Sequence, residues 1–252
     1  MDQVTPVFVC GMGRSGTTNA LRVLNTHPSV ALNGEIPLSV MKQLFAFIEG
    51  VDRAYAKDRR GEGWSERKRE YLFDSLGPLS KSGPSQANKF NTAKFRGHKS
   101  PKLEGLFEKY ELHFGSIGSL PRYFYCARNP FDCWRSYTEV TWANYADVGE
   151  FLEDYVASFA RLRQMQEIAA DRVAILNLDA LKAAPDKLRY YRENIFSPLG
   201  LDMPESTISR IEKRDESSKP ASAGEWNKAD RSSIANYPGV AQILAAHFPN
   251  AI

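Results

Sequence analysis

Eight consecutive residues, Gly11-Met12-Gly13-Arg14-Ser15-Gly16-Thr17-Thr18, gather three glycines, a guanidinium and three hydroxyls into one short stretch. Glycines let a backbone turn tightly and bring consecutive N–H groups against an anion, and a helix starting just beyond adds its positive N-terminal end. A stretch of this kind binds phosphate. Two overlapping patterns compete over which phosphate. Read from Gly11, the spacing is that of a triphosphate loop, but Thr17 stands where that loop carries the lysine a kinase sets on the β and γ phosphates. Read through Gly11, Gly13 and Gly16, it is the Gly-x-Gly-x-x-Gly of a dinucleotide fold, with Glu35 about 20 residues on as the ribose-binding carboxylate. The second pattern gives no use to Arg14 or the Thr17-Thr18 pair. It leaves an NAD(P)-dependent oxidoreductase as the alternative.

Further along, Arg128-Asn129-Pro130-Phe131-Asp132-Cys133-Trp134-Arg135-Ser136 sets a guanidinium after an apolar run and a hydroxyl eight positions later. A charged fork joined by a hydroxyl donor suits a second phosphate. With both motifs in this order, the chain resembles the sulfotransferases that use 3′-phosphoadenosine 5′-phosphosulfate (PAPS), whose 5′-phosphosulfate loop commonly reads Arg-Ser-Gly-Thr-Thr, as at Arg14 to Thr18. The resemblance implies that Arg14, Ser15, Gly16, Thr17 and Thr18 hold the phosphosulfate and that Arg128 and Ser136 hold the 3′-phosphate. Motif spacing is most similar to the tyrosylprotein and the bacterial or Golgi-type carbohydrate members.

Sulfuryl transfer needs a base for the acceptor hydroxyl and cations on the moving group and its bridging oxygen, with no metal required. Glu35 is the expected base and Arg14 and Lys99 the expected cations. Glu35 follows His27-Pro28 and lies at the distance from the loop arginine seen in the tyrosylprotein enzymes. His98 is the rival base, because cytosolic members use a histidine close to their lysine, although the order His98-Lys99-Ser100-Pro101 differs from theirs. Lys99 resembles the lysine that many members place before a proline beside the bridging oxygen. Ser217-Ser218-Lys219-Pro220 resembles the late loop that folds over PAPS, making Ser217 and Lys219 cofactor-binding candidates. One departure stands out: where members often carry a tyrosine near the adenine, this chain has Asn177 in Leu176-Asn177-Leu178-Asp179.

These residues must be held by strands and helices in alternation. Val7–Cys10, Val30–Leu32, Tyr123–Ala127 and Val173–Leu176 are short apolar or aromatic runs of the kind that form buried parallel strands, and Phe95–Lys99 reads as a further short strand leading into Ser100-Pro101. Helical spacing appears at Leu21–Leu24, from Met41 to Ile48, after Pro130, from Phe151 to Met165, and around 188–196 and 204–213. Alternation of this kind predicts an α/β fold, a P-loop-like parallel sheet with helices on both faces, as a single domain over residues 1–252. Residues 58–70, crowded with both charge signs, read as a solvated surface helix, followed by a loop at 82–92; the same region could serve as a cover over the acceptor site.

Bulk composition sets outer limits. At 42% hydrophobic and 25% charged the chain has the balance of a globular protein. A net charge of +3 suits an anionic small ligand and, without a basic stripe, excludes nucleic acid as the expected partner. The partner expected is instead a hydroxyl-bearing acceptor; the pattern does not determine oligomeric state. The three cysteines, Cys10, Cys126 and Cys133, have no paired metal or redox spacing and read as free thiols of a reducing compartment. The start lacks a basic n-region and a long apolar segment, and no window is apolar enough for a membrane span. A cytoplasmic location is expected, or the Golgi lumen had an anchor been removed. A non-catalytic nucleotide-binding module stays open as a further alternative.

Overall fold

The computed structural model describes residues 4–56, 63–76, 79, 87–140, 145–216 and 227–250. Five strands, β1 (Thr5–Cys10), β2 (Val30–Asn33), β3 (Phe95–Lys99), β4 (Arg122–Ala127) and β5 (Val173–Asn177), form one sheet. The order is β2-β3-β1-β4-β5 and every neighbouring pair is parallel. The fold class read from the alternation of elements is therefore the one observed. The order also separates the two glycine-loop patterns, because a dinucleotide fold runs 3-2-1-4-5-6, whereas here β3 lies between β1 and β2.

Side chains on successive strand residues point to opposite faces, and the burial follows that alternation. Val7, Val9, Val30, Leu32, Phe124 and Cys126 enter one core with α1 (Thr17–Leu24) and the late helices at Leu178–Ala183, Lys187–Tyr191 and Glu205–Glu216. Phe8, Cys10, Ala31, Tyr123 and Tyr125 enter the other, against α2 (Leu38–Tyr55), α3 (Trp64–Asp74), the helix at Phe107–Gly115 and the long helix at Val148–Ala169. Both faces are covered, as a parallel sheet requires.

The charged region at 58–70 is described from residue 63 on. Glu66, Arg67 and Glu70 of α3 are exposed, as a solvated helix requires, while Lys68 is buried, and the apolar Leu72, Phe73 and Leu76 that follow the region are buried too. Lys68 is held by Asp52 of α2 at 2.7 Å, so one cation of the charge-rich run faces inward. All three cysteines are buried and free, and burial pushes the Cys133 thiol up to about 12. Among the described residues no helix is long and apolar enough to cross a membrane.

Candidate active site

Parallel strands present their C-terminal ends on one edge, where α/β sheets bind ligands. There β1 runs into the glycine loop, β2 is followed two residues on by Glu35, β3 ends at Lys99, and β4 is followed directly by Arg128. Register makes the alignment tight: Val9 of β1 lies opposite Lys99, and Ser100 N donates to Val9 O at 3.0 Å.

The loop itself is built for close approach. Gly11 has φ 110°, and a Cβ there would lie 2.3 Å from the Cys126 carbonyl oxygen, so only glycine fits. Gly16, at φ 99°, caps α1 without any side-chain hydrogen bond, which leaves the N–H groups of the first turn to an outside acceptor. Arg14 takes a left-handed φ of 64° despite its Cβ. Ser15 is turned inward, its hydroxyl donating to Met12 O at 2.5 Å, and Thr17 is buried while Thr18 is exposed.

The predicted site residues gather in two groups. In the first, Arg14 Nε donates to Ser136 Oγ at 3.0 Å, and Arg128 Nη1 donates to the Arg14 carbonyl at 3.2 Å. The helix at Pro130–Thr138 that carries Ser136 starts where it does because Asn129 caps it, accepting from Asp132 N at 2.8 Å, with Pro130 in its first turn. Arg128 lies 3.7 Å from Asp132 in an i, i+4 pair. Burial pushes Asp132 up, but Lys182, Arg128 and Arg135 outweigh it and hold the carboxylate below its usual range. In the second group, the Lys99 ammonium hydrogen-bonds the Glu35 carboxylate. Lys99 is 6% exposed and Glu35 40%, so the cation is sunk in the sheet edge and the carboxylate opens to solvent. Arg14 thus bonds Ser136 in the first group, and Lys99 bonds Glu35 in the second.

His98 is fully buried, with Nε2 2.7 Å from Tyr110 OH and Nδ1 3.3 Å from Ser100 Oγ. Burial depresses its pKa to about 3. It is a core histidine whose ring nitrogens are both engaged, and Ser100 in turn brackets the Ile36 backbone, bonding its carbonyl at 2.8 Å and its N–H at 3.0 Å. His98 therefore steadies the segment after Glu35 rather than facing an acceptor. Asn177 is likewise occupied. It caps the next helix through Asp179 N and Ala180 N, and its amide donates to His247 O at 2.8 Å. Beside it a slot of about 20 Å³ is lined by Ser15, Gly16, Asn19, Leu178, Tyr190 and Tyr191, among others. Those two tyrosines went unremarked in the sequence; an aromatic pair one helix beyond the departed tyrosine position was the available signal. Ser217 and Lys219 lie outside the described residues.

One further residue was not foreseen. Glu104, 2% exposed, accepts the Gly11 N–H at 2.9 Å and the Ser158 hydroxyl. Its signal was a lone carboxylate within the apolar stretch Leu103-Glu104-Gly105-Leu106.

Comparison with known proteins follows the same lines. The model of a sulfotransferase family, Sulfotransfer_3, matches residues 6–205. Among solved structures, the sulfotransferase domain of the Synechococcus PCC 7002 olefin synthase is similar at 17% identity and TM-score 0.51, covering 100% of this chain and 90% of that one. Sulfotransferase STF9 from Mycobacterium avium is similar at 14% identity and TM-score 0.53, covering 96% and 76%. STF1 from Mycobacterium tuberculosis gives 14% and 0.52, covering 98% and 77%. At these identities the likeness is one of fold. A search of curated protein sequences finds no match.

Proposed function

The chain belongs to the sulfotransferase family, and on that footing we propose that it moves a sulfuryl group from PAPS to an acceptor hydroxyl, with Glu35 as the base. The observation that carries this reading is the Lys99–Glu35 contact at the sheet edge, one strand away from the glycine loop. The dinucleotide alternative needs Glu35 free for a ribose, and here it is bound to Lys99.

The residues present fit the donor. Arg128 Nε is buried and, among the described residues, has no hydrogen-bond partner, so it offers a donor for an anion beside Ser136 and Arg14. In this reading Arg128 and Ser136 hold the 3′-phosphate, and the N–H groups of Gly16 to Thr18 with Arg14 hold the 5′ side, Ser15 shaping the loop through its bonds to Met12 O. Asn177, engaged as a helix cap and on His247 O, does not take the place of a stacking ring beside the base. Ser217 and Lys219 are assigned a covering role on the resemblance alone.

PAPS supplies an activated sulfuryl group on a phosphosulfate anhydride. The Glu35 carboxylate would accept the proton of the acceptor hydroxyl as that oxygen bonds to sulfur and the bond from sulfur to the bridging oxygen breaks, leaving adenosine 3′,5′-bisphosphate. The Lys99 ammonium neutralises the negative charge that grows on the departing side, a gain larger in the transition state than before it. The Lys99–Glu35 contact holds both side chains at the edge until the acceptor takes its place between solvent and Glu35. The acceptor is a hydroxyl of a glycan, a peptide tyrosine or a small alcohol.

Calorimetry tests the donor. Adenosine 3′,5′-bisphosphate (PAP) is expected to bind without added metal, more tightly than 5′-AMP or NAD, and Arg128→Ala to weaken it. Equal affinity for 5′-AMP would contradict a 3′-phosphate site, and preference for NAD would restore the oxidoreductase. Sulfur-labelled PAPS offered with a panel of sugars, tyrosyl peptides and alcohols then identifies the acceptor, and binding without turnover on any of them would leave a nucleotide-binding module.

A further inference from the structure

Gly11, the first residue of the glycine loop, is held on three sides. Its Cα lies against the Cys126 carbonyl of β4. Its carbonyl accepts the Lys102 N–H at 2.9 Å, and its N–H donates to Glu104 Oε2 at 2.9 Å. Both of the last two partners belong to the strap that leaves β3 at Lys99, and the strap is further tied to β1 through Ser100 N and Val9 O. The second carboxylate oxygen of Glu104 takes the Ser158 hydroxyl, and Ser158 Oγ is 2.7 Å from Tyr125 OH. One side chain therefore joins the glycine loop, the strap, β4 and the long helix at Val148–Ala169.

From this geometry we propose that Glu104 is a positioning residue that registers Lys99 against the glycine loop. A carboxylate in the core is costly to bury, and burial pushes Glu104 above the usual carboxylate range against the hydrogen bonds that hold it down. Packing alone would be served better by a leucine. What a leucine cannot do is accept the Gly11 N–H, which would otherwise be a buried donor without a partner. Lys102, two residues before Glu104, has a left-handed φ of 61°, one of two such non-glycine residues among those described; the other is Arg14 of the loop. That backbone turn brings the Lys102 N–H onto Gly11 O while Glu104 receives Gly11 N–H, so the strap grips the two peptide groups on either side of the Gly11 Cα.

The role in turnover rests on the reading of Lys99 as the cation beside the breaking bond. Misplacing a catalytic group by about 1 Å costs on the order of 100-fold, so Glu104→Leu is expected to lower kcat by roughly 10–100-fold. PAP affinity should fall less than kcat, since Arg128 and Ser136 lie just after β4 and on the following helix, away from the loosened loop. Glu104→Gln should restore turnover, because its amide oxygen still accepts Gly11 N–H and its NH₂ can donate to Ser158. The companion measurement is hydrogen exchange over residues 9–13, expected to speed by about ten-fold or more in the leucine variant and to return in the glutamine one. Exchange does not depend on the nucleotide, so a wild type that fails to bind PAP refutes the donor reading while the loop clamp is still judged. A leucine variant that changes only Tm, with kcat and local exchange as in the wild type, overturns the proposal. So does a glutamine variant as defective as leucine. Should the leucine variant not fold, Glu104→Asp, which draws the carboxylate back by one methylene, is expected to show the same slower turnover and faster exchange, and wild-type values there overturn it equally.

Discussion

Glu35 and Lys99 stand 64 positions apart in the chain and meet because β2 and β3 are neighbours in register, Asn33 opposite His98. Their burial differs in the direction each role needs. A cation sunk to 6% exposure is held at one spot on the sheet edge, while a carboxylate at 40% remains within reach of an incoming hydroxyl. Glu35→Gln is therefore expected to keep the fold and PAP binding and to lower turnover by roughly two to four orders of magnitude, the range of a general base. Normal turnover in this variant would remove Glu35 from the mechanism. Lys99→Ala should lower kcat by about 10²–10³-fold, as for loss of one transition-state donor, with the PAP dissociation constant little changed; Lys99→Arg should recover part of it, because a planar fork does not fill the place of a compact ammonium. Should Lys99→Ala weaken PAP binding and leave kcat alone, the lysine belongs to the donor site instead. Arg14 donates its Nε–H to Ser136 Oγ, which ties the loop arginine to the helix after Arg128.

Elements decide whether these side chains arrive together, and the β1–β3 contact is the tightest of them. A Cβ on Gly97 would lie 1.8 Å from the Val7 carbonyl oxygen. Gly97→Ala must then push β3 from β1 two residues before Lys99. The expected cost is about 2–3 kcal/mol of stability, as for other overpacked sites, together with reduced turnover in the folded fraction; urea unfolding beside steady-state kinetics reads both, and an unchanged midpoint would mean the strands separate freely. The strands themselves were legible because they end in residues that stop a strand: Gly11 after the apolar run to Cys10, Asn33-Gly34 after Leu32, and Ser100-Pro101 after Lys99. The two phosphate motifs were legible because a glycine loop and an arginine with its serine are local patterns. Glu104 was not, since nothing in its own neighbourhood says that the Gly11 N–H is 93 positions away and waiting for an acceptor. Nor was the inner face of α3, whose first two turns are so rich in charge that Leu72, Phe73 and Leu76 were lost against them. Asn177 shows a third kind of gap: its sequence position suggested a lost ring, whereas its side chain is a helix cap.

At the scale of the whole molecule, a parallel sheet covered on both faces leaves its histidines little water. The chain has four, His27, His98, His113 and His247, and burial lowers the pKa of each. His98 is the extreme case, fully buried and depressed to about 3. The consequence for stability has a definite sign. Above about pH 6.5, the ordinary histidine value, neither the folded nor the unfolded chain protonates these rings and the low pKa has no cost. Below it the unfolded chain takes up protons that the folded chain refuses, so stability falls as pH falls. For His98 the loss runs at about 1.4 kcal/mol per pH unit once the unfolded ring is charged, or up to about 2 kcal/mol between pH 6.5 and 5. The other three add in the same direction over the same window. Glu104, raised by burial, works the other way as it gains a proton, one group against four. Carboxylates held low by cations, such as Asp52 beside Lys68 and Asp132 beside Lys182 and Arg128, extend the loss at lower pH. Unfolding free energy measured by urea titration is therefore expected to drop from pH 7 to pH 5. His98→Gln, which keeps a donor toward Tyr110 but cannot titrate, should lower stability at pH 7 yet make its pH dependence shallower by about one proton. A slope that His98→Gln leaves unchanged would mean that His98 takes its proton within the folded protein, against the burial that surrounds it.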